Sequence, residues 1–185
     1  MKLQGENIFL RALEPSDLET LYKWENNPSI WTVSNTLAPF SKFVLEQYLV
    51  NAHEDIFTAK QIRLMICLKN NLSIGTIELF DFEPQHNRSG IGIMIDGSLE
   101  NKGYATEALN LLIKYCFEIL LVKQIYCNIA SNNEKSLYLF KKLGFTEIGL
   151  KKQWIKTGQN KFEDEWMLQL ISPFEGDAYR TGDVK

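Results

Sequence analysis

Residues 90 to 109, GIGIMIDGSLENKGYATEAL, pass from an alternating apolar segment through a short polar loop into a periodic one, and no other stretch restricts the fold as much. Ile91, Ile93 and Ile95 alternate with Gly92, Met94 and Asp96, the period-two pattern of a strand. Apolar residues at 105, 108, 109, 112, 115, 116 and 119 then recur at three- and four-residue spacing, with Glu107, Asn110, Lys114 and Glu118 on the other face, which predicts an amphipathic helix. Between them lies Glu100-Asn101-Lys102-Gly103-Tyr104-Ala105. A glycine at 103 can take a backbone conformation closed to other residues and admits a ligand close to the main chain. The first amides of a helix have no internal partners, and the helix dipole adds partial positive charge there. Strand, loop and helix together form a seat for an anion, phosphate above all.

At 185 residues the chain can bury a full core, and 45% apolar with 23% charged residues is ordinary for a globular domain. The net charge of −3 gives no reason to expect nucleic acid. The amino terminus carries Lys2, Glu6, Arg11 and Glu14 and lacks the apolar core of an export signal. Residues 108 to 122 are interrupted by Lys114 and Glu118, so no membrane span is expected, and the location expected is cytoplasmic. Cys67, Cys116 and Cys127 sit in separate apolar runs and read as buried thiols, while His53 and His86 are too isolated for a metal site.

In chain order, Asn7 to Leu13 reads as a strand, and Glu14-Pro15-Ser16-Asp17 as a helix start with Asp or Ser as cap, the helix stopping near Asn26-Asn27-Pro28. Ser29 to Pro39 shows no period and is expected as a loop carrying Trp31; a second helix follows over roughly 41 to 53. Arg63 to Leu68 and Ile74 to Phe82 are strands around a turn at Asn70 to Ser73. Gln124 to Ala130 is a strand, Ser131 with Glu134 resembles a capping box, and the helix over about 133 to 143 ends at Gly144. Phe145 to Leu150 is another strand, and Trp154 to Trp166 a hairpin turning at Thr157 to Asn160, with Phe162 to Ile171 closing the sheet. The domain spans 1–171, and 172–185 reads as a loosely held tail.

The layout GxxID, six residues, then GYATEAL resembles the central motif of the GNAT acyl-CoA-dependent N-acyltransferases, whose pyrophosphate pattern is Gln or Arg, two residues, Gly, any residue, then Gly or Ala. Glu100 departs from the first position, so its side chain should turn away while the amides of Asn101 to Thr106 bind and Lys102 supplies positive charge. Asn133-Glu134-Lys135-Ser136 through Lys142-Leu143-Gly144-Phe145 is similar to the second motif of the family, thirty residues on. Together with LRALEPSDLE, Glu25-Asn26-Asn27 and Gly75-Thr76-Ile77-Glu78-Leu79, the match most resembles the branch of ribosomal-protein N-terminal and spermidine or diamine acetyltransferases.

That resemblance implies an α/β (α+β) GNAT fold: a mixed, mostly antiparallel twisted sheet, flanked by helices and opened into a V. Acetyl-CoA would pair with Ile93, Met94 and Ile95, rest its diphosphate on Asn101, Lys102, Gly103, Tyr104, Ala105 and Thr106, and face Asn133, Ser136 and Phe140. The acceptor would be a small-molecule amine or a peptide N-terminus, and a homo-oligomer is left open. Family members of the spermidine type use a tyrosine to protonate the departing thiolate, and here that position is Phe140; Tyr138 lies about 200° around the helix from it. Because a thiol has a pKa near 8.5, the missing proton donor withholds only about 2 kcal/mol at neutral pH.

An alkyl amine is mostly protonated at neutral pH, and freeing its lone pair costs roughly 4 to 5 kcal/mol. Glu78, with Thr76, Phe80 and Phe82 expected on the same face, is the candidate base, with Asp81 and Glu83 as alternatives. Glu25 would hold a distal ammonium, and Trp31 and Asp81 would line the acceptor pocket. Acetyl transfer to a primary amine by direct attack within a ternary complex is the expected activity; a non-catalytic acyl-CoA-binding module is the rival.

Overall fold

Seven strands form one sheet in the computed structural model, which describes residues 3–34 and 36–173. The chain runs β1 (Ile8–Ala12), a 3-10 turn (Pro15–Asp17), α1 (Leu18–Glu25), α2 (Pro28–Ser34), α3 (Lys42–Asn51), α4 (Ile56–Ala59), β2 (Ile62–Leu68), β3 (Ser73–Glu83) and β4 (Arg88–Ile95). A second 3-10 turn (Gly97–Leu99) leads to α5 (Tyr104–Glu118), β5 (Gln124–Ala130), α6 (Glu134–Lys142), β6 (Thr146–Gly158) and β7 (Lys161–Ile171). The sheet order is β1-β2-β3-β4-β5-β7-β6, antiparallel throughout except for β4 and β5. Most of the expected tail, from residue 174 on, lies outside the described residues.

Alternation along the strands divides the apolar residues between two faces. On one, Ile66, Ile77, Leu79, Ile91, Ile125 and Leu168 pack with Leu109 and Leu112 of α5 and with Leu137 and Phe140 of α6. On the other, Met65 and Cys67 pack with Leu21 and Trp24 of α1. Full burial of each such aliphatic side chain contributes about 1.5–3 kcal/mol.

Between β4 and β5 the sheet comes apart. Only Arg88 to Gly90 pair with Gln124 to Tyr126. Beyond that point Ile91–Ile95 keep β3 as their sole neighbour and Cys127–Ala130 keep β7. The two parallel strands therefore make a fork whose inner edges present unpaired peptide groups.

Several local expectations are corrected. Residues 28 to 34 are helical, not loop: Pro28 suits the first turn of a helix as well as it stops the previous one, and Asn27 Oδ1 accepts from the Ser29 amide at 3.1 Å. The short α4, absent from the sequence reading, is capped by Asp55, which accepts from the amides of Phe57 and Thr58. Asp17 holds the N-cap position of α1 as expected, but its side chain turns back to accept from the Glu14 amide at 2.8 Å and from Arg11 instead of bonding the helix amides, and Glu14 caps the 3-10 turn before it. In α6 the cap is Asn133, not Ser131: its side chain accepts from the Ser136 amide at 3.2 Å. Phe82 does not share a face with Glu78. A bulge between Phe80 and Glu83, with Asp81 at φ 48°, shifts the alternation and sends Phe82 into the core with Leu79 and edge-on to Phe57.

Candidate active site

One side of the fork is made of backbone. Gly103 caps α5 at φ 84°, with no side-chain bond to the first amides of the helix, and a Cβ there would meet nothing within 4 Å. Glycine is needed for its conformation, and the space before it stays open for a ligand. Asn101 is also left-handed, at φ 60°, two residues before Gly103. The Glu100 carboxylate binds Lys135 of α6 at 3.1 Å. Lys102 is exposed and has no ion-pair partner among the described residues. Asn133 and Ser136 sit at the start of α6, Asn133 spending its Oδ1 on the cap. Phe140 is 3% exposed and packs edge-on against Phe145 at 5.1 Å, while Tyr138 is 71% exposed on the far side of the helix. The role of Phe140 seen here is core packing, and no tyrosine faces inward from α6.

The charge lies on the strands behind β4, on the same side of the fork. The register sets Arg63 of β2, Glu78 of β3 and Gly92 of β4 in one row. Glu78 Oε2 accepts from Arg63 Nε at 2.8 Å and Nη2 at 2.7 Å, and Arg63 Nη1 donates to Glu25 Oε1 of α1 at 2.8 Å. The Tyr48 ring of α3 covers the guanidinium at 5.5 Å. Burial opposes the charge of Arg63, but the carboxylate of Glu78, Tyr48 and the carboxylate of Glu25 more than offset it and hold the group firmly protonated. Glu78 Oε1 is left without a hydrogen-bond partner among the described residues. It lies 3.2 Å from where a Cβ of Gly92 would stand, so the missing side chain lets the carboxylate lie across β4 at the opening fork. Phe80 lies likewise across Gly90, and its ring meets Tyr126 edge-on at 6.0 Å.

Other candidates fall elsewhere. Trp31 donates its indole N–H to the Glu25 carbonyl at 2.7 Å, which makes it a brace on the end of α1. Asp81 sits on the bulge, where the Tyr126 hydroxyl donates to it at 3.4 Å beside the closed end of the fork, and Glu83 is paired with Arg88 at 3.0 Å. Neither joins the Glu25–Arg63–Glu78 group. The thiols of Cys116 and Cys127 are pushed up to about 12 by burial, which leaves them protonated and unreactive. Among the described residues there is no group of three or more His, Cys, Asp or Glu that could hold a metal, and no helix is long and apolar enough to cross a membrane.

The sequence reading missed Arg63, Tyr48 and the two glycines of β4. Arg63 is a lone charge in the apolar run Ile62 to Cys67, the one signal it offered.

A sheet of this order, splayed between one parallel pair beside an uncapped helix start, defines the class as an acyl-CoA-dependent acyltransferase fold. Residues 7–146 match the acetyltransferase (GNAT) domain family. The chain is 30% identical over 145 residues to the spermidine N(1)-acetyltransferase of Vibrio cholerae, covering 78% of this chain and 82% of that protein. It is 29% identical over 148 residues to that of Escherichia coli K12, covering 78% and 76%. The crystal structure of spermidine N-acetyltransferase from Vibrio cholerae in complex with CoA and spermine superposes with a TM-score of 0.83 at 25% identity, over 91% of this chain and 97% of that one. The chain belongs to the GNAT acetyltransferase family, and it is an acetyl-CoA-dependent N-acetyltransferase.

Proposed function

We propose that this enzyme acetylates an aliphatic di- or polyamine by direct attack within a ternary complex, with Glu78 as the base. The observation that carries the reading is the free Oε1 of Glu78 lying over Gly92, where β4 parts from β5. The residues present fit acetyl-CoA: the unpaired groups of Ile93, Met94 and Ile95 suit an extended amide chain, and the amides from Asn101 to Thr106 suit a diphosphate. Lys102 adds positive charge, and Asn133 and Ser136 border the other arm. Bound there, acetyl-CoA supplies an activated acyl group within reach of an amine.

The residues of the chain then have two tasks. An acceptor arrives as an ammonium, and removing its proton at neutral pH costs roughly 4 to 5 kcal/mol. Glu78 Oε1 accepts that proton, directly or through one water, in a wall shielded by Phe80 and Tyr126. Glu25 and Glu78 together favour a cationic acceptor, which agrees with the polyamines named for the relatives. Cys116 and Cys127, buried and protonated, offer no nucleophile for a covalent route.

Thiol release from acetyl-CoA, measured with spermidine, butane-1,4-diamine, a monoamine and an N-terminal peptide, tests the reading. Turnover highest with the di- and polyamines is expected. Acetyl-CoA binding by calorimetry without turnover on any amine would establish the non-catalytic module instead.

A further inference from the structure

Arg63 makes a fork-shaped bridge between two carboxylates that come from different elements. Its Nε and Nη2 hold Glu78 Oε2 at 2.8 and 2.7 Å, and its Nη1 holds Glu25 Oε1 at 2.8 Å. Each carboxylate thus spends one oxygen on the guanidinium and keeps the other. A bulge at Ile66/Cys67 shifts the β2–β3 register by one and sets Arg63 opposite Glu78: counted from the Cys67–Ser73 pair alone, Arg63 would pair with Ile77. Tyr48 then fixes the plane of the guanidinium from above.

We propose that Arg63 is a positioning residue for acetyl transfer, orienting the free oxygen of Glu78 toward the fork and leaving the site one net negative charge, matched to one ammonium. This rests on the reading of Glu78 as base. Without a partner, a glutamate side chain with 33% of its surface exposed rotates among staggered positions, most of which carry its carboxylate away from Gly92. Two carboxylates facing one ammonium without Arg63 would also hold it as a salt and resist giving up the free amine. The planar, three-point fork cannot be copied by lysine, whose ammonium is a single point of charge.

The test compares Arg63→Gln and Arg63→Lys with wild type in thiol release with spermidine at saturating acetyl-CoA, alongside the calorimetric affinity for acetyl-CoA. Misplacing a base by about 1 Å costs on the order of 100-fold, so Arg63→Gln should lose about 10- to 100-fold in kcat with acetyl-CoA affinity preserved. Arg63→Lys should recover only part of that loss, since charge returns without the fork. A kcat within about threefold of wild type in Arg63→Gln, while Glu78→Gln is inactive, would overturn the proposal and leave Arg63 as a brace for the fold. Turnover retained in Glu78→Gln would overturn the base assignment itself. Should Arg63→Gln fail to bind acetyl-CoA, Glu25→Gln decides: one anchor of the guanidinium is removed from the edge of the site, and kcat should fall severalfold with acetyl-CoA affinity kept, whereas an unchanged kcat overturns the proposal.

Discussion

The two walls of the site are built from different materials. The proposed donor wall is a continuous run of chain, β4 through the start of α5, and it offers peptide groups, a left-handed glycine and open space. The proposed acceptor wall is assembled from α1, α3, β2 and β3, and it carries side chains whose charges are set against one another. Backbone seats respond to shape and strain, whereas a charge cluster responds to the loss of any one member, because each holds the others in place. The walls are joined by the pairing of β3 with β4, and Trp24 of α1 adds a tie, donating its indole N–H to Asp96, just past the end of β4, at 3.1 Å.

Gly103→Val should have the largest effect on the donor wall. A β-branched residue at φ 84° is strained by roughly 1–3 kcal/mol, and its side chain enters the space kept clear for the ligand. Acetyl-CoA affinity, read by calorimetry, should fall by about 10- to 100-fold, with the acceptor wall untouched. Equal affinity in the variant would break the contrast between the walls.

Acid should loosen the acceptor wall through Asp17. Burial alone would raise the pKa of this carboxyl, but the Arg11 fork and the Glu14 amide more than reverse it, so the net direction is down. A depressed carboxyl stabilises the fold above its unfolded pKa, near 3.9, and that contribution is lost as pH falls through the folded value. Asp17 precedes α1, which carries Glu25, so Asp17→Asn should destabilise the fold by about 2–3 kcal/mol at pH 7 and flatten the loss of stability below about pH 4. Thermal melts from pH 3 to 7 read both effects.

Glu100→Gln should give the smallest change. The carboxylate is partly exposed and paired with Lys135, yet it lies one turn before α5, where negative charge opposes an anion. Its removal should tighten acetyl-CoA binding by about twofold to fivefold, an effect that fades in high salt.

How much of this was legible from the chain follows from the same contrast. The strand at 124 to 130, the glycine loop and the helix after it are local in sequence, and their periods and punctuation are visible directly. Departures came where one residue fits two roles or where register decides: Pro28 ends one helix and begins the next, and the bulges at Ile66/Cys67 and Phe80/Glu83 each shift the register. Glu78 was visible as a carboxylate in a largely apolar strand. Its partner Arg63 was not, because a shift of one residue in pairing leaves no mark in the pattern of apolar residues.

The central claim is that the two walls do separate tasks in one reaction, and Glu78→Gln tests it most directly when acetyl-CoA affinity and single-turnover acetyl transfer to spermidine are measured on the same preparation. Unchanged affinity with transfer slowed by about 10² to 10⁴ is the predicted result. Transfer at the wild-type rate, or a loss of acetyl-CoA affinity as large as the loss of rate, would contradict it.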